Sequence, residues 1–119
     1  MKNSQAKDRL FLLPAAWDDE GTDWYCRECA EVRGLLAYYP QLAEHLDLQI
    51  VSRPKPRAAM VELLGEDNQN APTLVIADAS RQLPDHVEVC EANGRRFVNN
   101  ARSIGEYLAE VYGISRPHA

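Results

Sequence analysis

The chain has 119 residues, 45% hydrophobic and 26% charged, the size and composition of one globular domain with its own core rather than a disordered or fibrous chain. A formal net charge of -5 argues against general nucleic-acid binding, which needs a concentrated basic surface. The short RPKPR stretch at residues 53–57 does not reverse that balance.

RLFLL at residues 9–13 is a short apolar run ended by Pro14, the pattern of a buried strand. AAWDDEGTDW, residues 15–24, reads as a long acidic loop punctuated by Gly21. Val32, Leu35, Leu36 and Tyr39 then recur at helical spacing until Pro40 closes the run. LDLQIV at residues 46–51 alternates as a strand does. Pro56 suits the first turn of a second helix, with Met60, Leu63 and Leu64 on one face and Gly65 past its end. The β-branched and apolar residues 73–77 form a central strand. HVEVC at residues 86–90 is read as an extra strand and RRFV at 95–98 as an edge strand. Ile104, Leu108, Val111 and Tyr112 mark a last helix, stopped by Gly113. The order β-α-β-α-β-β-α belongs to an α/β layer architecture, and the expectation is one domain over residues 1–119 with its core between about 9 and 113.

No run approaches the roughly 20 apolar residues that span a bilayer, and MKNSQAKDRL lacks the apolar region of a secretory signal. A cytoplasmic location without membrane association is therefore expected. In that compartment three cysteines point to reactive, metal-bound or simply buried thiols rather than to a disulfide framework.

CREC between the first strand and the first helix, with Ala71 and Pro72 immediately before the third strand, resembles the thioredoxin-like superfamily. ARSIGEYLAEVYG looks like the last helix of glutaredoxins and of the N-terminal domains of glutathione S-transferases. The chain is also similar to a family of small bacterial thioredoxin-like proteins, in which membership implies no activity. The resemblance implies a thioredoxin-like α/β sandwich with a mixed sheet, and a cis peptide at Ala71-Pro72 facing the CxxC. Trans geometry is the ordinary alternative for a proline.

Thiol-disulfide exchange needs an attacking thiolate and a second thiol to resolve the mixed disulfide. Cys26, placed where helix amides and the helix dipole favour negative charge, is the exposed candidate nucleophile, and Cys29 the more buried resolving thiol. Arg27 assists, while Asp18, Asp19, Glu20, Asp23 and Glu28 oppose the thiolate. Each contributes only about 0.5 kcal/mol from about 8 Å in water-like surroundings. The Arg-Glu pair inside the motif departs from the Gly-Pro and Pro-Tyr pairs of thioredoxins and glutaredoxins, as does the long acidic loop. The expected partner is a protein or small-molecule thiol or disulfide, met by Trp24, Tyr25, Ala71, Pro72 and Asn100, with no resident cofactor. For the aromatics, including Trp17, packing back onto the core is the competing reading.

Glutathione is the alternative small ligand. Relatives that bind it hold its γ-glutamyl end with an acidic residue and a serine at the start of the last helix, where this chain has Asn100 and Ala101. Asn100 and the helix N-terminus would still accommodate a carboxylate, while Ser103 with Glu106 fits a capping box. Two other readings stay open: a zinc site built from Cys26, Cys29, His86 and Cys90, and a non-catalytic binding module that uses the same surface. His45 and His118 carry no pattern for acid-base work.

Overall fold

A computed structural model describes residues 6–118. The first strand, β1 (Asp8–Leu12), every residue of which but Arg9 is buried, lies inside a five-stranded sheet. Leu10, Phe11 and Leu12 are consecutive and therefore point to alternate faces. All three are wholly buried, so both faces of the sheet are covered. Each such side chain contributes about 2 kcal/mol from leaving water, before the entropy of ordering.

Between β1 and the first helix the sequence predicts a loop, and the structure has a hairpin, β2 (Trp17–Asp19) and β3 (Thr22–Trp24). Glu20 and Gly21 take φ of 53° and 81°, the paired positive values that two-residue hairpin loops adopt. Trp17 stands opposite Trp24 across the pair. Aromatic residues favour strands and cross-strand positions, whereas the aspartates beside them do not.

Helix α1 (Arg27–Tyr38) runs into a 3-10 turn, Pro40–Glu44, so Pro40 begins a second helical segment rather than ending helical structure. Tyr38 is exposed and leaves the core to Val32 and Cys29. Strand β4 (Leu46–Ile50) pairs parallel with β1 through this crossover and forms one edge of the sheet.

The second helix, α2 (Ala58–Leu64), starts later than Pro56 suggested. The Lys55-Pro56 bond is cis and Arg57 is the N-cap residue. Met60 and Leu64 are buried as the stripe predicts, and Leu63 is half-buried.

Strand β5 (Thr73–Ile76) is central and buried throughout, antiparallel to β1 on one side. On its other side lies β7 (Arg95–Val98), which is therefore interior, not the edge its composition suggested. The edge is β6 (Cys90–Ala92), at the end of the predicted HVEVC strand. Asn93 and Gly94, with φ of 56° and 72°, close the β6–β7 hairpin. Asn-Gly is a strong sequence signal for this turn; it displaces the strand toward the turn and makes β7 the inner partner.

Helix α3 (Ala101–Tyr112) packs against α1 and ends at Gly113 in the left-handed conformation. Its cap is Asn100, whose Oδ1 accepts the Ser103 N–H at 2.8 Å. The predicted Ser103–Glu106 capping box does not form, because both residues already lie inside the helix: Ser103 Oγ donates to Glu88, and the buried Glu106 pairs with Arg116. The strand order β4-β1-β5-β7-β6 makes the sheet mixed and the domain an α/β sandwich.

Candidate functional site

The dithiol forms where β1, the hairpin and α1 meet. Cys26, in extended conformation at φ -81° and ψ 114°, is the N-cap of α1, and its Sγ accepts the Cys29 N–H at 3.1 Å. Sulfur thus takes the place usually held by a serine or aspartate oxygen at a helix start, where the end charge of the helix favours an anion. Cys26 is half-buried, whereas Cys29 is only 5% exposed, one helical turn inside.

Leu13, just past β1, donates its N–H to Cys29 Sγ at 3.4 Å. Burial first, then hydrogen bonding with Cys26, raises the Cys29 thiol from 9.0 to about 12, although the Leu13 N–H acts in the opposite sense. Cys29 is therefore held as a thiol at neutral pH.

Ala71-Pro72 is cis, as the superfamily resemblance implies. The Ala71 carbonyl lies 3.9 Å from Cys26 Sγ, and both Ala71 and Pro72 are buried. Two attachments fix the segment that carries them. Asn70 Nδ2 donates to the Asn99 carbonyl at 2.7 Å, linking it to the start of α3. On the other side the buried Gln69 accepts the Arg57 N–H through Oε1 at 2.6 Å.

Arg57 also closes this side with its guanidinium, which donates to the carbonyls of Ser52, Arg53 and Gln69. Burial and the neighbouring Arg53 charge lower its pKa, while Cys29 and Cys26 act in the opposite sense. The sequence reading gives RPKPR a short basic character and Pro56 a place in the first turn of a helix, and gives Arg57 no role of its own. The signal for its local role was the position of those residues, in the connection after the strand that pairs with β1.

Glu28 has a partner that the sequence did not suggest. Its Oε1 accepts the N–H of Ala101, the first residue of α3, at 2.8 Å. One residue between the two cysteines therefore joins the N-termini of α1 and α3. Asn100, expected to meet a ligand, spends its Oδ1 on Ser103.

Two clefts flank Cys26 and share Tyr25. One, of about 340 Å³, has apolar walls from Leu13, Pro14, Ala15 and Ala30, with Arg33 at its margin. The other, of about 480 Å³, is bordered by Arg27, Glu28 and Glu31. Trp24 and Tyr25 are 50% and 63% exposed, so they do not pack back into the core; Trp17 alone is half-buried against it. Arg53, in the connection after β4, approaches Asp19 of the hairpin at 4.0 Å.

The proposed zinc ligands are not gathered. Cys90 is on the edge strand β6, with β5 and β7 between it and β1. His86 lies 4.0 Å from Glu110, near the end of α3 opposite Ala101. Glu110 lies nine positions after Ala101, roughly 13 Å along the helix. Among the described residues no group of three or more His, Cys, Asp or Glu side chains could hold a metal ion. Nor is any helix among them long and apolar enough to cross a membrane.

Fold and site together define an α/β sandwich with a mixed sheet, carrying a CxxC whose first cysteine caps the following helix. Residues 7–116 match the family described as "Protein of unknown function (DUF3088)", and the chain belongs to it. No curated protein and no solved structure matches the chain.

Proposed function

We propose that the protein is a thiol-disulfide oxidoreductase of the thioredoxin-like superfamily, acting on a protein or small-molecule disulfide in the cytoplasm. The observation that carries this reading is Cys26: a half-buried sulfur capping α1, bonded to the Cys29 N–H and set beside the Ala71 carbonyl.

In the reducing direction the Cys26 thiolate attacks one sulfur of a substrate disulfide. A mixed disulfide with Cys26 forms, and the other substrate half leaves as a thiolate and takes up a proton. Cys29 then loses its proton and attacks Cys26 Sγ, closing the Cys26–Cys29 bond and releasing the second half as a thiol. Two electrons pass to the substrate, and an external dithiol reductant returns the enzyme to its starting state. The Cys29 N–H and the end of α1 stabilise negative charge on Cys26 sulfur. Burial keeps Cys29 protonated until the mixed disulfide brings its target close.

No resident cofactor is required for these steps. Exposed Trp24 and Tyr25 beside the clefts favour a protein or peptide partner, and they also support the second reading, a non-catalytic binding module. Insulin reduction with an external dithiol separates the two. The proposal expects turnover by the wild-type chain and its loss, by roughly 100-fold or more, in Cys26→Ser. No turnover by the wild type, with partner binding unchanged in Cys26→Ser, would establish the module instead.

A further inference from the structure

We infer that Glu28 is a specificity-determining residue of the dithiol site, selecting neutral or cationic disulfides over anionic ones by occupying the N-terminus of α3 with the protein's own carboxylate. This inference rests on the oxidoreductase reading and names the substrate class that it would take.

Two helix N-termini converge at the site. That of α1 serves Cys26, whose Sγ takes the Cys29 N–H. The start of α3 is the adjacent place where backbone N–H groups would receive a substrate carboxylate. Two of those groups are already engaged: Ala101 N–H by Glu28 Oε1 at 2.8 Å and Ser103 N–H by Asn100 Oδ1 at 2.8 Å. The Ile104 N–H closes on the Asn100 carbonyl at 2.9 Å.

An anionic group bound beside Cys26 on that side would have to displace Glu28 or lie against it. Glu31 borders the same cleft and adds a second negative charge, against the single positive charge of Arg27. Arg57 is taken up by backbone carbonyls, Arg102 in the first turn of α3 pairs with Glu106 at 3.7 Å, and Arg33 lies at the margin of the other cleft. An ammonium or guanidinium group meets no such obstacle, and the apolar cleft on the opposite side of Cys26 takes an uncharged chain. Glutathione disulfide, with more carboxylates than ammonium groups, falls in the disfavoured class.

Three small disulfides of different charge test the assignment: cystamine, bis-hydroxyethyl disulfide and dithiodipropionate. Their kcat/KM values are measured at neutral pH and low salt with wild type, Glu28→Gln and Glu28→Ala. Wild type should favour cystamine over dithiodipropionate by about tenfold, the scale of a charge contact at a partly exposed site, and added salt should shrink the ratio.

Glu28→Gln keeps an oxygen for the Ala101 N–H, so the helix junction persists while the charge is lost. Its preference for cystamine over dithiodipropionate should shrink about threefold through KM, on top of any change common to all three substrates that follows from removing a negative charge beside the thiols. Glu28→Ala also frees the amide and should shrink that preference further. Equal wild-type rates for the cationic and anionic disulfides would overturn the inference while leaving the oxidoreductase reading intact. So would a Glu28→Gln effect that is the same for all three substrates, because that is the mark of a purely structural role. Wild-type protein inactive toward all three would remove both readings together.

Discussion

The backbone N–H of Leu13 points at the sulfur of Cys29, 3.4 Å away, and so ties the end of β1 to the inner thiol of the pair. Cys29 is 5% exposed and its thiol is raised to about 12, so the inner cysteine is both hidden and hard to deprotonate, whereas Cys26 is half-buried. Alkylation with iodoacetamide at mildly alkaline pH should label Cys26 at least about tenfold faster than Cys29, since only the thiolate reacts. Peptide mass mapping checks this, and equal labelling of the two would contradict the arrangement.

Removing the inner thiol should stop exchange at its midpoint. Cys29→Ser retains the attacking sulfur and lacks the resolving one, so a covalent adduct with the substrate should accumulate at Cys26. Intact-mass measurement after incubation with a disulfide substrate detects it. Release with dithiothreitol should restore the original mass; recovery of unmodified variant alone would argue against Cys26 as nucleophile.

At the opposite end of β1, Asp8 is 2% exposed and its carboxylate receives four donors: the Ala77 N–H, the phenols of Tyr107 and Tyr112, and Arg81. This cluster joins β1, the segment after β5, and α3. Asp8→Ala strands the buried phenol of Tyr107, the half-buried phenol of Tyr112 and a half-buried guanidinium, and should cost roughly 3 kcal/mol or more. Urea denaturation measures the loss, and a cost below about 1 kcal/mol would show that the cluster is dispensable.

Stability should fall at alkaline pH. Cys29 is raised from 9.0 to about 12, and Tyr112 from 10.0 to about 12, by burial and then by their hydrogen-bond partners; Tyr107 is raised further by the same causes. Below the unfolded values both states are protonated and these groups contribute no pH dependence. Above them the unfolded chain releases protons that the native state retains, so stability declines between about pH 9 and 12. Thermal melts across that range check the slope; a flat or rising melting temperature would contradict it.

Arg57 holds the segment bearing Ala71 through contacts that a planar, forked cation makes and an ammonium does not. Arg57→Ala and Arg57→Lys should therefore reduce exchange by similar factors, about tenfold. Rescue by lysine would mean that charge at the sulfurs, rather than placement of the Gln69–Ala71 backbone, is the role of this residue.

Several features of this protein were legible because their causes are local. Apolar spacing marked α1 and α3, Gly113 ended α3, and continuous apolar runs marked β1 and β5. CREC between a strand and a helix already placed Cys26 at a helix start. The β6–β7 turn was also written in the chain, as Asn93-Gly94, and composition arguments passed over it. Glu20-Gly21 was a weaker signal, since the aspartates around it disfavour strands whereas Trp17 and Trp24, opposite one another, favour them.

By itself, then, the sequence determined the α/β class, the α1 and α3 stripes and the position of the dithiol, because helical and strand periodicities and caps act over a few residues. Only the tertiary structure decided that Glu28 reaches Ala101 across 73 positions, that Arg57 closes on Gln69, and that His86 and Cys90 stay away from the pair. Those relations depend on strand order and helix packing, which bring distant residues together through the burial of a shared core and leave no periodic trace in the chain.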